Sequence, residues 1–391
     1  MRALLPAVVS VAVSVLLAGP SSAREYRVGL LLPYSGVYAA LGEEIEAGFR
    51  LGLEHFGDVL GEDTVTVLKE DTEVKPPVGL VKTKKLVLQD RVDVLAGIVS
   101  SGVLAAVRDF VHSAKVPLVV ANAGNVEATG PKCSRYIVRV SFSNAQIARP
   151  MGRYMAETGI RTAVAMAPDY AAGHQHVEAM QAAFESGGGR MLAATYTPFG
   201  RTQDFAPYLT QAQATGAEAL FAFYAGSEAI AFIKQYAAFG LRGTLPLYAA
   251  GYLNSRLTLD AIGDAAVGSI NSLHYVTTLD TPENRRFQQA FRERHGRIAS
   301  EYAVQGYDAA HLIVEALARS KGDPEAFVDA AREVRFASPR GPWYIDPATN
   351  NIVQNIYIYE IVKDATGQLV EKILKVYEEE RDPPNGCDLA G

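Results

Sequence analysis

Six short segments of this chain combine small residues with hydroxyl, amide and phenol groups. They are Pro33-Tyr34-Ser35-Gly36-Val37-Tyr38, Ser100-Ser101-Gly102, Ala121-Asn122-Ala123-Gly124-Asn125, Asp169-Tyr170-Ala171-Ala172-Gly173, Tyr224-Ala225-Gly226-Ser227 and Ala249-Ala250-Gly251-Tyr252. Each follows an apolar run of strand length. Small residues let backbone N–H groups come close to a ligand, and the hydroxyls and amide add directed hydrogen bonds. Ser101 stands where a helix should begin; unpaired N–H groups and the helix dipole favour an anion there. The plainer role of Ser100 and Ser101 is to cap that helix. Tyr38, Tyr170, Tyr224 and Tyr252 stand at comparable places, and each is amphipathic enough to wall a cleft. The candidate contact set is therefore Ser35, Tyr38, Ser100, Ser101, Asn122, Ala123, Gly124, Tyr170, Tyr224, Gly251 and Tyr252.

Covalent and metal chemistry find little support. The chain has no Gly-x-Ser-x-Gly, no phosphate loop, no Gly-x-Gly-x-x-Gly and no His-Glu-x-x-His. Ser101 has no His and Asp partners apparent in the sequence. His174 and His176 fall on an expected helix; positions two apart there point about 200° from each other, so they cannot share a metal. No catalytic residue, metal or cofactor is expected.

The segments need a frame that brings them together. Apolar strand-length runs at 26–32, 64–69, 92–99 and 116–120 alternate with helical patterns at 40–55, 78–89 and 104–113. The alternation restarts: helices at 147–158, 173–185, 205–214 and 228–239 intercalate with strands at 162–167, 191–196, 219–223, 245–249 and 267–273. Near-continuous apolar strands between helices predict two parallel sheets covered on both faces. Helices follow at 283–295 and 302–319, and 341–346 and 352–362 read as antiparallel strands about the Asp346–Asn351 turn. In such open sheets ligands bind beyond the carboxyl ends of the strands, where the six segments lie.

The first 23 residues have the layout of a secretory signal: Arg2, an apolar run to Ala18, then Ser21-Ser22-Ala23 before a cut. The run is shorter than the roughly 20 residues of a spanning helix. The sequence thus predicts an exported, soluble protein, and about 368 residues after the cut are enough for two lobes. With 49% hydrophobic and 20% charged residues the composition is globular, and a formal charge of −6 gives no footprint for nucleic acid. Cys133 and Cys387 both sit in loop-like segments; in an oxidising compartment they are expected to pair, the alternative being two free thiols.

Taken in order, these pieces resemble the periplasmic solute-binding proteins of ABC transporters, in the branched-chain amino-acid (type I) family. The resemblance rests on Val28 to Gly36, Tyr38 to Gly42, Gly97 to Ser101, Asp169 to Gly173 and Gly341-Pro342, and it covers essentially the whole chain after the signal. It implies two doubly wound parallel-sheet lobes, 24–142 with 275–339 and 143–274 with 340–391. Three crossovers near 141–144, 274–277 and 338–341 would form the hinge, with the ligand cleft between the lobes. It also implies a monomer working with a membrane permease. In that family the residues matching Ser101 and Asn122 to Gly124 hold a ligand carboxylate, and Tyr170 matches the second lobe's tyrosine. Amino-acid binders place an acid after the second lobe's fourth strand; this chain has Ala249-Ala250-Gly251-Tyr252 instead. An unpaired ammonium in a closed cleft is costly, so the resemblance points to an organic acid without an amine, an aromatic carboxylate first. The competing expectations are an amino acid met by Asp169 or Glu228, a ligand sensor docking on a membrane receptor, and a secreted hydrolase.

Overall fold

A computed structural model describes residues 23–389. The expected export segment lies, apart from Ala23, outside the described residues. The first sheet is parallel throughout. Its strands are β1 (Glu25–Leu32), β2 (Thr64–Asp71), β3 (Val94–Gly97), β4 (Leu118–Val120) and β5 (Ile137–Arg139), in the order β2-β1-β3-β4-β5. Helices α1 (Ala39–Phe56), α2 (Pro76–Leu88) and α3 (Ser101–Ala114) connect its early strands. Val28 and Leu30 to Leu32 on β1 are all fully buried, as expected for a strand covered on both faces.

The second body opens with α4 (Asn144–Glu157), β6 (Thr162–Pro168), α5 (Ala171–Ser186), β7 (Arg190–Thr197) and α6 (Ala206–Ala214). It continues with β8 (Ala219–Ala222), α7 (Gly226–Ala238), β9 (Leu247–Ala250), α8 (Arg256–Ile262) and β10 (Ile270–Leu273). The chain then returns to the first body, where α9 (Pro282–His295), α10 (Glu301–Ser320) and α11 (Pro324–Glu333) are placed and α10 packs along α1. It closes with β11 (Trp343–Ile345), β12 (Ile352–Lys363) and β13 (Leu369–Glu380). The second sheet runs β11-β12-β10-β9-β8-β6-β7, with β13 also on β12; β6 to β10 are parallel and β12 joins them antiparallel. The molecule is thus a two-lobed α/β protein.

The chain passes between the lobes after β5, after β10 and before β11, and buried polar groups stitch these passages together. Arg340 forms an ion pair with Asp308 at 2.8 Å (Nε to Oδ2). It also donates to Ser141 O at 3.3 Å, to Val140 O, and to Gln354 Oε1 at 3.0 Å. Gln354 Nε2 in turn donates to Ser141 O at 2.6 Å. Cys133 and Cys387 are joined in a disulfide, as the loop setting of both cysteines predicts. Four elements escape the sequence reading: β5, α8, α11 and β13.

Candidate functional site

The carboxyl ends of both sheets face one cavity between the lobes. Its wall carries six aromatic rings, from Tyr38, Phe142, Tyr170, Phe223, Tyr252 and Tyr302, together with Ser101, Asn122, Gly124, Asn144 and His176. Leu41, Val99, Ala172 and Ala225 complete the lining. The two lobes touch around it: Tyr38 Oη and Tyr170 Oη share a hydrogen bond of 2.9 Å, and Gln175 Oε1 accepts from Val126 N at 3.1 Å.

The local sequence explains how each polar group is aimed. Ser100 is the N-cap of α3, extended at φ −78°, and its hydroxyl accepts from Val103 N at 3.5 Å. That cap frees Ser101, the first helical residue, to face the cavity. Ser101 Oγ accepts from Asn144 Nδ2 at 3.2 Å, which leaves its own proton to donate. Asn122 Nδ2 donates to Gln305 Oε1 at 2.7 Å, and Gln305 Nε2 reaches His274 Nε2 at 3.2 Å. Burial holds His274 well below the usual histidine range, so its Nε2 accepts that bond. Burial raises the Tyr252 phenol well above the ordinary value despite the Gln305 side chain beside it, so it keeps its proton.

Of the predicted contact set, the cavity gathers Tyr38, Ser101, Asn122, Gly124, Tyr170 and Tyr252. It does not gather the other five. Ser35 is exposed and its hydroxyl bonds to Asp71. Ser100 is committed to its cap. Ala123 is buried with its N–H donated to Ile98 O at 2.8 Å. Tyr224 points into the second lobe's core, its hydroxyl 3.2 Å from Thr197 Oγ1 and its ring stacked on Phe232 at 4.7 Å. Gly251 backs onto the sheet; a Cβ there would fall 2.5 Å from Tyr359 Oη. Asp169 is exposed and pairs with His174 at 2.8 Å. Glu228 Oε1 accepts from Gly200 N at 2.9 Å. Neither carboxylate lines the cavity.

A family model described as "Periplasmic binding protein" matches residues 25–367. The chain belongs to the periplasmic binding protein family. Brucella melitensis "Leu/Ile/Val-binding protein homolog 6" is 32% identical to this binding protein over 384 residues, 96% of this chain and 98% of the relative. An R. palustris ABC-transporter solute-binding protein solved with benzoate is 34% identical, with a TM-score of 0.87 over 93% of this chain and 100% of that one. A second from R. palustris, solved with 4-hydroxybenzoate, is 29% identical, with a TM-score of 0.87 over 92% of this chain and 98% of that one. The protein is a type I ABC-transporter solute-binding protein and not an enzyme.

The electrostatics of this binding protein's cleft come mainly from its backbone. Ser101, Asn144, Ala172, Ala225 and Tyr302 lie within the first residues of α3, α4, α5, α7 and α10 or directly before them, and Tyr38 immediately precedes α1. Six helices thus bring their amino-terminal residues to one cavity, where helix dipoles favour negative charge. None of the lining residues is Asp, Glu, Lys or Arg. Such a site favours an anion without a fixed cation, and its walls favour an apolar body. Phe142, Asn144, His176, Phe223 and Tyr302 were absent from the sequence-based set. His176 was findable: it lies one turn beyond Ala172 and so shares its face. Phe142 and Asn144 flank an expected crossover, where only the fold shows that the cleft passes.

Proposed function

We propose that this protein is exported to the periplasm, captures an aromatic carboxylate between its lobes by hinge closure and delivers it to an ABC permease. The observation that carries the ligand class is the cavity wall: six aromatic rings, converging helix amino ends and no carboxylate. An anion is met by N–H and O–H donors there, whereas an ammonium would find no counter-charge. Ser101 and Tyr252 each have a hydroxyl proton to offer a carboxylate. Benzoate and 4-hydroxybenzoate in the similar R. palustris proteins support the same class. In this reading the lobes are 24–142 with 275–339 and 143–274 with 340–391, the signal is cut near Ala23, and the protein acts as a monomer. Calorimetric titration with benzoate and cinnamate derivatives beside leucine, valine and phenylalanine tests the ligand class. Aromatic acids should bind at micromolar affinity or tighter, with the amino acids silent. Tight binding of leucine or valine with silence from the aromatic acids would overturn it.

A further inference from the structure

We propose that His176 Nε2 accepts a hydrogen bond from a ring hydroxyl of the bound acid, so that the ligand is a hydroxylated aromatic carboxylate. The inference deepens the aromatic-acid reading above and rests on it. His176 is fully buried on α5 and lines the cavity. Its Nδ1 lies 2.8 Å from Ala172 O, one turn back on the same helix. A carbonyl can only accept, so Nδ1 carries the proton. Burial lowers the ring's pKa to about 4, so at neutral pH the imidazole is uncharged and Nε2 holds a bare lone pair. One face of the ring is covered by Phe223, stacked at 3.9 Å with an 8° interplanar angle. Nε2 is buried and has no hydrogen-bond partner among the described residues.

A buried acceptor without a donor is a standing cost, removed only by something that brings a donor. Tyr252 Oη, also in the lining, keeps its proton and can serve an anion. Nε2 cannot: a carboxylate against its lone pair would be repelled. The two groups therefore ask for different ends of one ligand, an anionic group and an O–H. Ser101 and Asn122 belong to the lobe of the first sheet and His176 to that of the second, so a hydroxy acid spans the closure. A site built around such a bond rejects an analogue lacking the hydroxyl, because its acceptor is then left unpaired.

The test is a titration series on the full protein with 3- and 4-hydroxybenzoate against 3- and 4-fluorobenzoate, which match in size but carry no donor. Wild type should prefer a hydroxy acid by roughly tenfold or more, and His176→Phe, which keeps a ring on Phe223, should collapse that ratio towards one. Nitrogen NMR of wild type gives a readout that does not depend on the variant folding. The Nε2 resonance should move upfield with the hydroxy acid and not with its fluoro analogue. Equal affinity for the paired acids in wild type, or an unchanged ratio in His176→Phe, overturns the inference while leaving the aromatic-acid reading standing. Silence from every benzoate overturns both.

Discussion

Ser100 and Ser101 are neighbours with the same side chain, yet the cap divides their work. Ser100 spends its hydroxyl on Val103 N, and Ser101 turns its hydroxyl to the cavity. Ser100→Ala should cost about 1 kcal/mol of unfolding free energy, the usual worth of an N-cap. Ser101→Ala should instead weaken aromatic-acid binding roughly tenfold, as expected for a bond to a charged acceptor. Urea unfolding and calorimetry of the two variants check the division; a similar loss of affinity in both would reject it. Glu301 is a different residue-scale case. It opens α10 at 2% exposure, and burial pushes its carboxyl up to about 8, from an ordinary 4.5. The folded state thus binds this proton more tightly than the unfolded chain does. Glu301 contributes no penalty below about pH 4.5, and stability is lost as pH rises from there through about 8, at up to about 1.4 kcal/mol per pH unit. Glu301→Gln removes the titration, so its stability advantage over wild type should widen between pH 5 and pH 8 and then level off. Parallel stability-against-pH curves for the two proteins would show that the carboxyl is not held neutral.

At the scale of elements, α1 and α10 meet through glycine. A Cβ on Gly48 would fall 1.9 Å from Ala303 O, and one on Gly306 would fall 2.0 Å from Ile45 O. Both obstacles are backbone, which cannot step aside without moving a helix. Gly306→Ala gains about 1 kcal/mol of helix propensity, but overpacking typically costs about 1–3 kcal/mol, so the net effect should be a lowered Tm in thermal unfolding. A raised Tm would mean the helices can part freely. The same elements show what a sequence makes legible. Long apolar runs such as Leu30 to Leu32 and Ala219 to Ala222 announce buried parallel strands, so the alternation of strand and helix is legible directly. Strand β13 could not: Leu369–Glu380 alternates charged side chains along a largely exposed edge, the form that protects an edge from pairing with other chains. Strand β5 is only three residues long, and its Arg139 is buried by bonds to Asn351 Oδ1 at 2.8 Å and Asn125 O at 2.7 Å that no local pattern foretells. Helix α11 does carry a local signal, an Asp323 N-cap followed by Pro324 and Glu325. In the site, residues directly after strands were legible, whereas Tyr224 shows that a tyrosine at such a place can equally turn into a core.

For the whole molecule, the tail adds a fourth tie between lobes already joined three times. After β13 it leaves the second sheet past the crossovers: Asp382 accepts from Ser143 Oγ at 2.8 Å and from Asn351 Nδ2 at 2.8 Å. It then reaches the loop between β4 and β5, where Asn385 Nδ2 donates to Thr129 O at 2.8 Å and Cys387 bonds covalently to Cys133 across 254 positions of sequence. A cross-link of that span constrains the unfolded chain by up to roughly 5 kcal/mol on the loop-entropy model, with measured values often smaller. In the proposed lobe division one end is carried by each lobe, so the cross-link also constrains the native protein. Opening the cleft must either stretch the tail or stop where the tail becomes taut. Replacing both cysteines by serine should therefore do two separable things. Stability should fall in urea unfolding, and the ligand-free lobes should open wider, seen as a longer distance between spin labels placed on the outer faces of α2 and α6. A wider open state competes with closure, so affinity for the proposed aromatic ligand should fall as well, with a ligand-bound distance equal to wild type. If stability drops while the ligand-free distance and the affinity both hold, the disulfide constrains only the unfolded chain, and hinge travel is set by the three crossovers and the buried Arg340–Asp308 pair.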